Sequence, residues 1–198
     1  MSPRVRRHGA NALTSVRILL APVFVGTVRL ALHAPLVALA APVVFVAAAA
    51  SDVVDGRLAR RWGSASNVGR TFDHLADIGF ILTALFTYAE LGIAPWWVPL
   101  AIAGSFAFYV LDSLARAPAG VPSLIGSRVG HAAGVLNYSL IGVLVFNNTA
   151  AIGWLSPDVL AKLFWLVPVY SGAAVVARLA TRRPLVARRA AALPPACG

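Results

Sequence analysis

Pro42-Val-Val-Phe-Val-Ala-Ala-Ala-Ala50-Ser-Asp52-Val-Val-Asp55-Gly56-Arg57-Leu58-Ala59-Arg60 runs from an apolar stretch straight into a pair of carboxylates. Gly69-Arg70-Thr71-Phe72-Asp73-His74-Leu75-Ala76-Asp77-Ile78 then leads from a second pair back into an apolar stretch. Asp52 and Asp55 are spaced i, i+3, and Asp73 and Asp77 are spaced i, i+4, so on helices each pair shares one face. Both apolar stretches approach the roughly 20 residues that a membrane-crossing helix needs. A carboxylate at the end of such a span is costly and requires a compensating partner. Four of the chain's seven acidic residues are spent on this one segment.

The rest of the chain has the same texture. Of its 198 residues 59% are hydrophobic and 12% charged, against about 25% charged in an ordinary soluble domain. A soluble bundle would need polar helix faces, and most of these segments have none. Six apolar segments qualify as spans: Leu13–Leu32, Pro35–Val54, Phe72–Leu91, Trp96–Leu114, Val129–Phe146 and Val159–Leu179. Backbone polar groups in lipid must be satisfied within the protein, which leaves helices or a closed barrel, and runs this continuous are helices. The expected fold is all-α: an integral membrane bundle of six transmembrane helices behind a short N-terminal juxtamembrane segment. Residues 1–180 form one membrane domain in this reading, and 181–198 a basic, disordered cytoplasmic tail.

The formal charge of +10 raises the question of nucleic acid, but the arginines sit at the ends of apolar runs and not along one face. Arg4, Arg6, Arg7, Arg17, Arg57, Arg60, Arg61, Arg70, Arg116, Arg128, Arg178, Arg182, Arg183, Arg188 and Arg189 all fall on one side of a six-span topology. Only Arg29 and Lys162 fall near the other. The bias places both termini, and the acidic segment with them, on the cytoplasmic side of the cell membrane, and suits anionic lipid as partner. The first span reads as a retained helix and not as a cleaved signal peptide. Asn147-Asn148-Thr149 matches a glycosylation sequon and reads as a loop on the opposite face. Trp96, Trp97, Trp154 and Trp165 read as interface anchors and packing residues. The single Cys197 excludes a disulfide framework or a cysteine metal site.

If the two acidic helices pack side by side, four carboxylates converge, and their repulsion calls for cations between them. Hard oxygen ligands suit Mg²⁺ or Mn²⁺, and a pair of such ions is a device of phosphoryl chemistry. The alternative is a structural ion network with Arg57, Arg60, Arg61 and Arg70. Gly56, Ala59 and Gly69 could serve close helix packing or the approach of a nucleotide or phosphate to the backbone. Arg60 could grip a phosphate oxygen with its fork of donors.

The segment resembles the signature of the CDP-alcohol phosphatidyltransferase family, D-x2-D-G-x2-A-R-x8-G-x3-D-x3-D, at every fixed position from Asp52 to Asp77. Asn11-Ala-Leu-Thr14, with Arg17 and Pro22, is similar to the family's entry into its first helix. The resemblance implies that Asp52, Asp55, Asp73 and Asp77 hold two Mg²⁺ or Mn²⁺ ions, with Asp77 also the general base. It implies that Gly56, Ala59, Arg60, Ser66 and Gly69 meet the CDP-lipid head group, that Asn11 and Thr14 help to hold the nucleotide, and that the protein is a homodimer. The implied reaction moves a phosphatidyl group from CDP-diacylglycerol to an alcohol with release of CMP.

The acceptor is less legible. The family's glycerol-phosphate branch often carries Lys after the last aspartate, where this chain has Ile78. Arg116, Arg128 and His131 are candidate acceptor contacts, with ordinary anchoring at the membrane face as the alternative. Asp112 could face the same cavity or pair with an arginine. His74, at a variable position of the signature, reads as a surface histidine beside the cavity, with metal binding as its alternative. Two other functions fit an acidic membrane site. An intramembrane prenyltransferase would want more helices and two separated acidic motifs. A divalent-cation transporter would want carboxylates along a path across the membrane.

Overall fold

Alanine-, leucine- and valine-rich runs give six helices among the described residues: α1 (Pro3–Ala31), α2 (Ala40–Trp62), α3 (Asn67–Glu90), α4 (Trp97–Arg116), α5 (Arg128–Leu144) and α6 (Pro157–Ala191). The computed structural model describes residues 3–31, 33–34, 39–62, 67–116, 124, 128–149 and 153–191, and within these not the side chains of 3–15, 52–53, 55–62, 67–68, 70, 149 and 182–191. No strand occurs among the described residues. The helix ends have local causes. At the end of α3, Gly92 takes φ +70°, its N–H donates to Ala89 O at 3.0 Å, and Ile93 N–H donates to Tyr88 O at 3.0 Å. This is the glycine-closed pair of bonds that satisfies a helix's last carbonyls. At the start of α6, Ser156 O accepts from Val159 and Leu160 N–H, both at 3.1 Å, and Pro157 fills the first helical position, where its missing N–H costs nothing.

Among the described residues three helical stretches are long and apolar enough to cross a membrane: Trp97–Arg116, Arg128–Asn148 and Pro157–Thr181. The six-span expectation is met to that extent. In α3 the opening turns carry Asp73, His74 and Asp77, which dilute its apolar character. Of α2, the apolar part is Ala40–Ser51, and the helix then continues into the charged segment. Several boundaries shift from those expected. The juxtamembrane segment and first span are one continuous helix from Pro3, with Pro22 inside it. The last helix runs through Arg182 and Arg183 to Ala191, past the expected start of the tail at Thr181, because Ala, Leu and Arg are good helix formers. Residues 192–198 lie outside the described residues. Asn147 is no loop residue: Val145–Thr149 forms a π-helical turn that prolongs α5, where Asn147 is buried and its Oδ1 accepts from Leu155 N–H at 2.7 Å.

α1 packs against α2 and α3, α4 against α6, and α5 against α6 and α3. Phe24, Phe80, Leu85, Tyr88, Ile102, Ile141 and Leu144 are fully buried between them. Phe24 and Phe80 lie 5.4 Å apart, and Phe80 stacks on Tyr138 at 6.2 Å. Gly142 lets α2 lie close to α5, since a Cβ there would stand 3.2 Å from the Phe45 ring. Leu19, Leu111, Trp165 and Val169 face outward and are about two-thirds exposed, as lipid-facing side chains would be. Contacts between helices in lipid are held by van der Waals fit more than by exclusion of water.

A buried ion network joins α4 to α6. Asp112, fully buried, accepts from Arg116 Nε at 3.1 Å and from Arg178 Nη1 at 2.8 Å. Arg178 also donates to Ser113 Oγ at 3.2 Å, and its guanidinium lies 4.1 Å from the centre of the Tyr109 ring. Arg116 Nη2 donates to the Arg178 carbonyl at 2.9 Å. At the other end, exposed Arg29 and Glu90 pair at 2.5 Å, a contact of the kind worth at most about 1 kcal/mol.

Asp112→Ala would strand the Arg178 charge and should lower stability by roughly 3–5 kcal/mol, as removing one partner of a buried ion pair does. Thermal unfolding of the protein in detergent checks this, with Leu111→Ala, on the exposed neighbouring position, expected to shift the midpoint little.

Candidate active site

The site is built on the opening turns of α3. Asp73 and Asp77 lie one helical turn apart, and together with His74 they offer ligand atoms that all fall within 4.8 Å of one another. The two carboxylate side chains are 33% and 23% exposed. Like charges this close repel by roughly 4 kcal/mol at 4 Å for an effective dielectric of 20, so the pair requires positive charge beside it. Some of that charge comes from α1. Arg17, fully buried, donates from Nη1 to Asp73 Oδ1 at 3.3 Å and from the same nitrogen to Asp77 Oδ1. From α5, the Tyr138 hydroxyl donates to Asp77 Oδ1 at 3.4 Å. Three helices distant in sequence thus meet at one carboxylate.

The donor set fits a hard divalent cation. Two carboxylates on one face, partly open to the outside, give the oxygen ligands that Mg²⁺ and Mn²⁺ prefer, and both ions retain waters in such settings. His74, exposed and edge-on to Tyr109 at 6.4 Å, adds a softer nitrogen at the margin. Through Tyr109 the acidic cluster adjoins the Asp112–Arg178 network, at the same end of the bundle.

The remaining expected site residues divide into three groups. Asn11 and Thr14 fall on α1, and Asp52, Asp55, Gly56, Ala59 and Arg60 on α2, with side chains outside the described residues; Ser66 lies wholly outside them. Gly69 is half-buried in the first turn of α3, and Arg128 and His131 are exposed in the first turn of α5. Arg116 is bonded to Asp112 and to the Arg178 carbonyl of α6, so of the two roles open to Asp112, pairing with an arginine is the one observed. Arg17, Tyr138 and His74 belong to the site's geometry. The sequence marks Arg17 only as part of the first helix and does not mark Tyr138 at all. Neither carries a local signal, because Arg17 reaches its partners across 56 and 60 residues of chain.

A cavity of about 760 Å³ opens at the opposite end, between the α3–α4 turn and the start of α6. Among the described residues its lining, which includes Trp97, Asn147, Leu160, Phe164 and Trp165, has no charged residue. The carboxylate chemistry lies elsewhere.

Helices apolar enough for a membrane, with a carboxylate cluster at one end whose donor atoms could hold a metal ion, are what fold and site bring together. Residues 7–180 match the CDP-alcohol phosphatidyltransferase family, and the chain belongs to that family. It is 38% identical over 98 residues to a probable phosphatidylglycerophosphate synthase of Mycobacterium tuberculosis, a match covering 47% of this chain and 45% of that protein. It is 37% identical over 106 residues to a CDP-diacylglycerol–glycerol-3-phosphate 3-phosphatidyltransferase of Yersinia pestis, covering 52% of this chain and 56% of the other. The aligned part of the chain thus spans about half the length of the curated relatives it matches.

If the cluster holds metal, Asp73→Asn, which replaces a charged carboxylate with a neutral amide, should weaken Mn²⁺ binding by more than about tenfold, whereas His74→Ala should change it less than about threefold, since a hard ion prefers oxygen. Loss of the free Mn²⁺ signal in electron paramagnetic resonance titrations reads both.

Proposed function

We propose that the protein transfers a phosphatidyl group from CDP-diacylglycerol to a small phosphorylated alcohol of the glycerol 3-phosphate type, releasing CMP. The observation that carries this reading is the Asp73–Asp77 pair, held by Arg17 and Tyr138 on the helix that completes the family signature. The names of the two relatives favour the phosphorylated acceptor, and Ile78 is then a local departure inside that branch. Family membership weighs against the prenyltransferase and the cation transporter.

In this reading the acceptor hydroxyl oxygen forms a bond to the phosphorus that bears diacylglycerol. The bond from that phosphorus to the bridging oxygen breaks, and CMP departs with that oxygen. Asp77 takes the hydroxyl proton, and its position is fixed by the donors on α1 and α5. Mg²⁺ or Mn²⁺, as a pair of ions held by Asp52, Asp55, Asp73 and Asp77, would neutralise the diphosphate charge. Gly56, Ala59 and Gly69 give the backbone room to approach the donor, with Arg60, Ser66, Asn11 and Thr14 around the nucleotide and phosphates. Arg128 and His131, one turn apart and exposed, would receive the acceptor phosphate. Arg116 serves the α4–α6 network instead. Holding the hydroxyl in line with the leaving oxygen supplies much of the rate.

The wider reading is a six-span homodimer of the cell membrane, residues 1–180 forming the membrane domain. Both termini, the basic stretch from 181 onward and the active site lie on the cytoplasmic side, following the arginine bias.

Purified protein with CDP-diacylglycerol, Mg²⁺ or Mn²⁺ and glycerol 3-phosphate should release CMP, and Asp77→Asn should cut the rate by at least roughly 100-fold, the lower end for loss of a general base. Release only with an unphosphorylated alcohol would overturn the acceptor assignment and leave the reaction class standing. No metal-dependent release with any alcohol would overturn the class.

A further inference from the structure

Arg17 is a fully buried cation whose two acceptors, Asp73 and Asp77, belong to the group of side chains that could hold a metal. We propose that the Arg17 guanidinium is the resident counter-cation of this site, and that it couples metal binding to donor binding by exchanging a carboxylate partner for a phosphate oxygen of the CDP-lipid. The inference rests on reading Asp73 and Asp77 as metal ligands, and it adds a positioning residue from outside the signature.

A site whose donors already face a buried guanidinium is partly neutralised before any metal arrives. A divalent ion drawing on the same carboxylates weakens Arg17's hold on them, and a guanidinium left poorly paired in apolar surroundings is strongly unfavourable. Metal alone therefore binds against this cost. A diphosphate supplies oxygens that match the guanidinium fork, so the donor lipid removes the cost and metal binding tightens. Linkage makes the effect reciprocal: metal must strengthen donor binding by the same factor. A merely structural Arg17, tying α1 to α3, would lower stability on removal and would not make metal bind more tightly.

The test is Mn²⁺ binding by electron paramagnetic resonance on the full chain in detergent, with and without CDP-diacylglycerol and with no acceptor alcohol. In the wild-type protein CDP-diacylglycerol should tighten Mn²⁺ binding by roughly 5- to 150-fold, the usual range for coupled sites. Arg17→Gln, which keeps hydrogen bonding and removes the charge, should bind Mn²⁺ alone at least about fivefold more tightly than wild type and lose most of the enhancement. Arg17→Lys keeps the charge without the fork, so its affinity for Mn²⁺ alone should stay near that of wild type while the enhancement falls. Unchanged or weaker Mn²⁺ binding by Arg17→Gln, or full enhancement in either variant, overturns the inference. If Arg17→Gln gives no monodisperse protein, the lysine variant decides on the same criterion. Wild-type protein that binds no Mn²⁺ under either condition overturns the reading of the site as a metal centre, and this inference with it.

Discussion

Two carboxylates and a guanidinium meet where three helices converge, and the arrangement of this end of the bundle depends on their mutual neutralisation. Asp73 and Asp77 stand on α3 and Arg17 on α1, with Tyr138 reaching in from α5. In an apolar bundle none of these charges is tolerable alone. Their need for each other aligns α1 with α3 at this end, as the aromatic contact of Phe24 with Phe80 does further along. The same constraint leaves carboxylates that, kept close together against repulsion, would retain an affinity for added cations.

A second charge network stands beside the first. Asp112 with Arg116 and Arg178 joins α4 to α6 as Arg17 joins α1 to α3, and the Tyr109 ring links the two, with His74 edge-on at 6.4 Å and the Arg178 guanidinium 4.1 Å from its centre. Both networks lie at this end, whereas the described lining of the cavity at the other end is aliphatic and aromatic apart from two asparagines. The division agrees with the proposed reading, in which charged phosphates would be handled at one end of the bundle.

Helical periodicity is what makes part of this legible in the sequence. The i, i+4 spacing of Asp73 and Asp77 is enough to put them on one face, and the apolar runs locate the helices to within several residues in most cases. Long-range partners are beyond its reach. Arg17 looks like one more arginine at a membrane face, because nothing near it in the chain indicates Asp73 or Asp77. Arg116 reads as a candidate acceptor contact or a membrane-face anchor although Asp112 stands four residues before it, since its further partner, Arg178, lies on another helix. The sequon at Asn147 suggests a loop, while the fold uses its amide to close a π-helical turn onto Leu155. The continuation of α6 to Ala191 is hidden by charge: an arginine-rich segment reads as a tail, yet arginine and alanine sustain a helix.

The central claim is that the carboxylates of α3 hold metal at the end of the bundle where Arg17 is buried. Anomalous diffraction at the manganese edge, from crystals grown with Mn²⁺ and CDP-diacylglycerol, tests it most directly. The account predicts anomalous density within ligand distance of Asp73 and Asp77, with the donor's diphosphate against it. Manganese density confined to other parts of the molecule, with Asp73 and Asp77 bonded only to Arg17 and Tyr138, would contradict it.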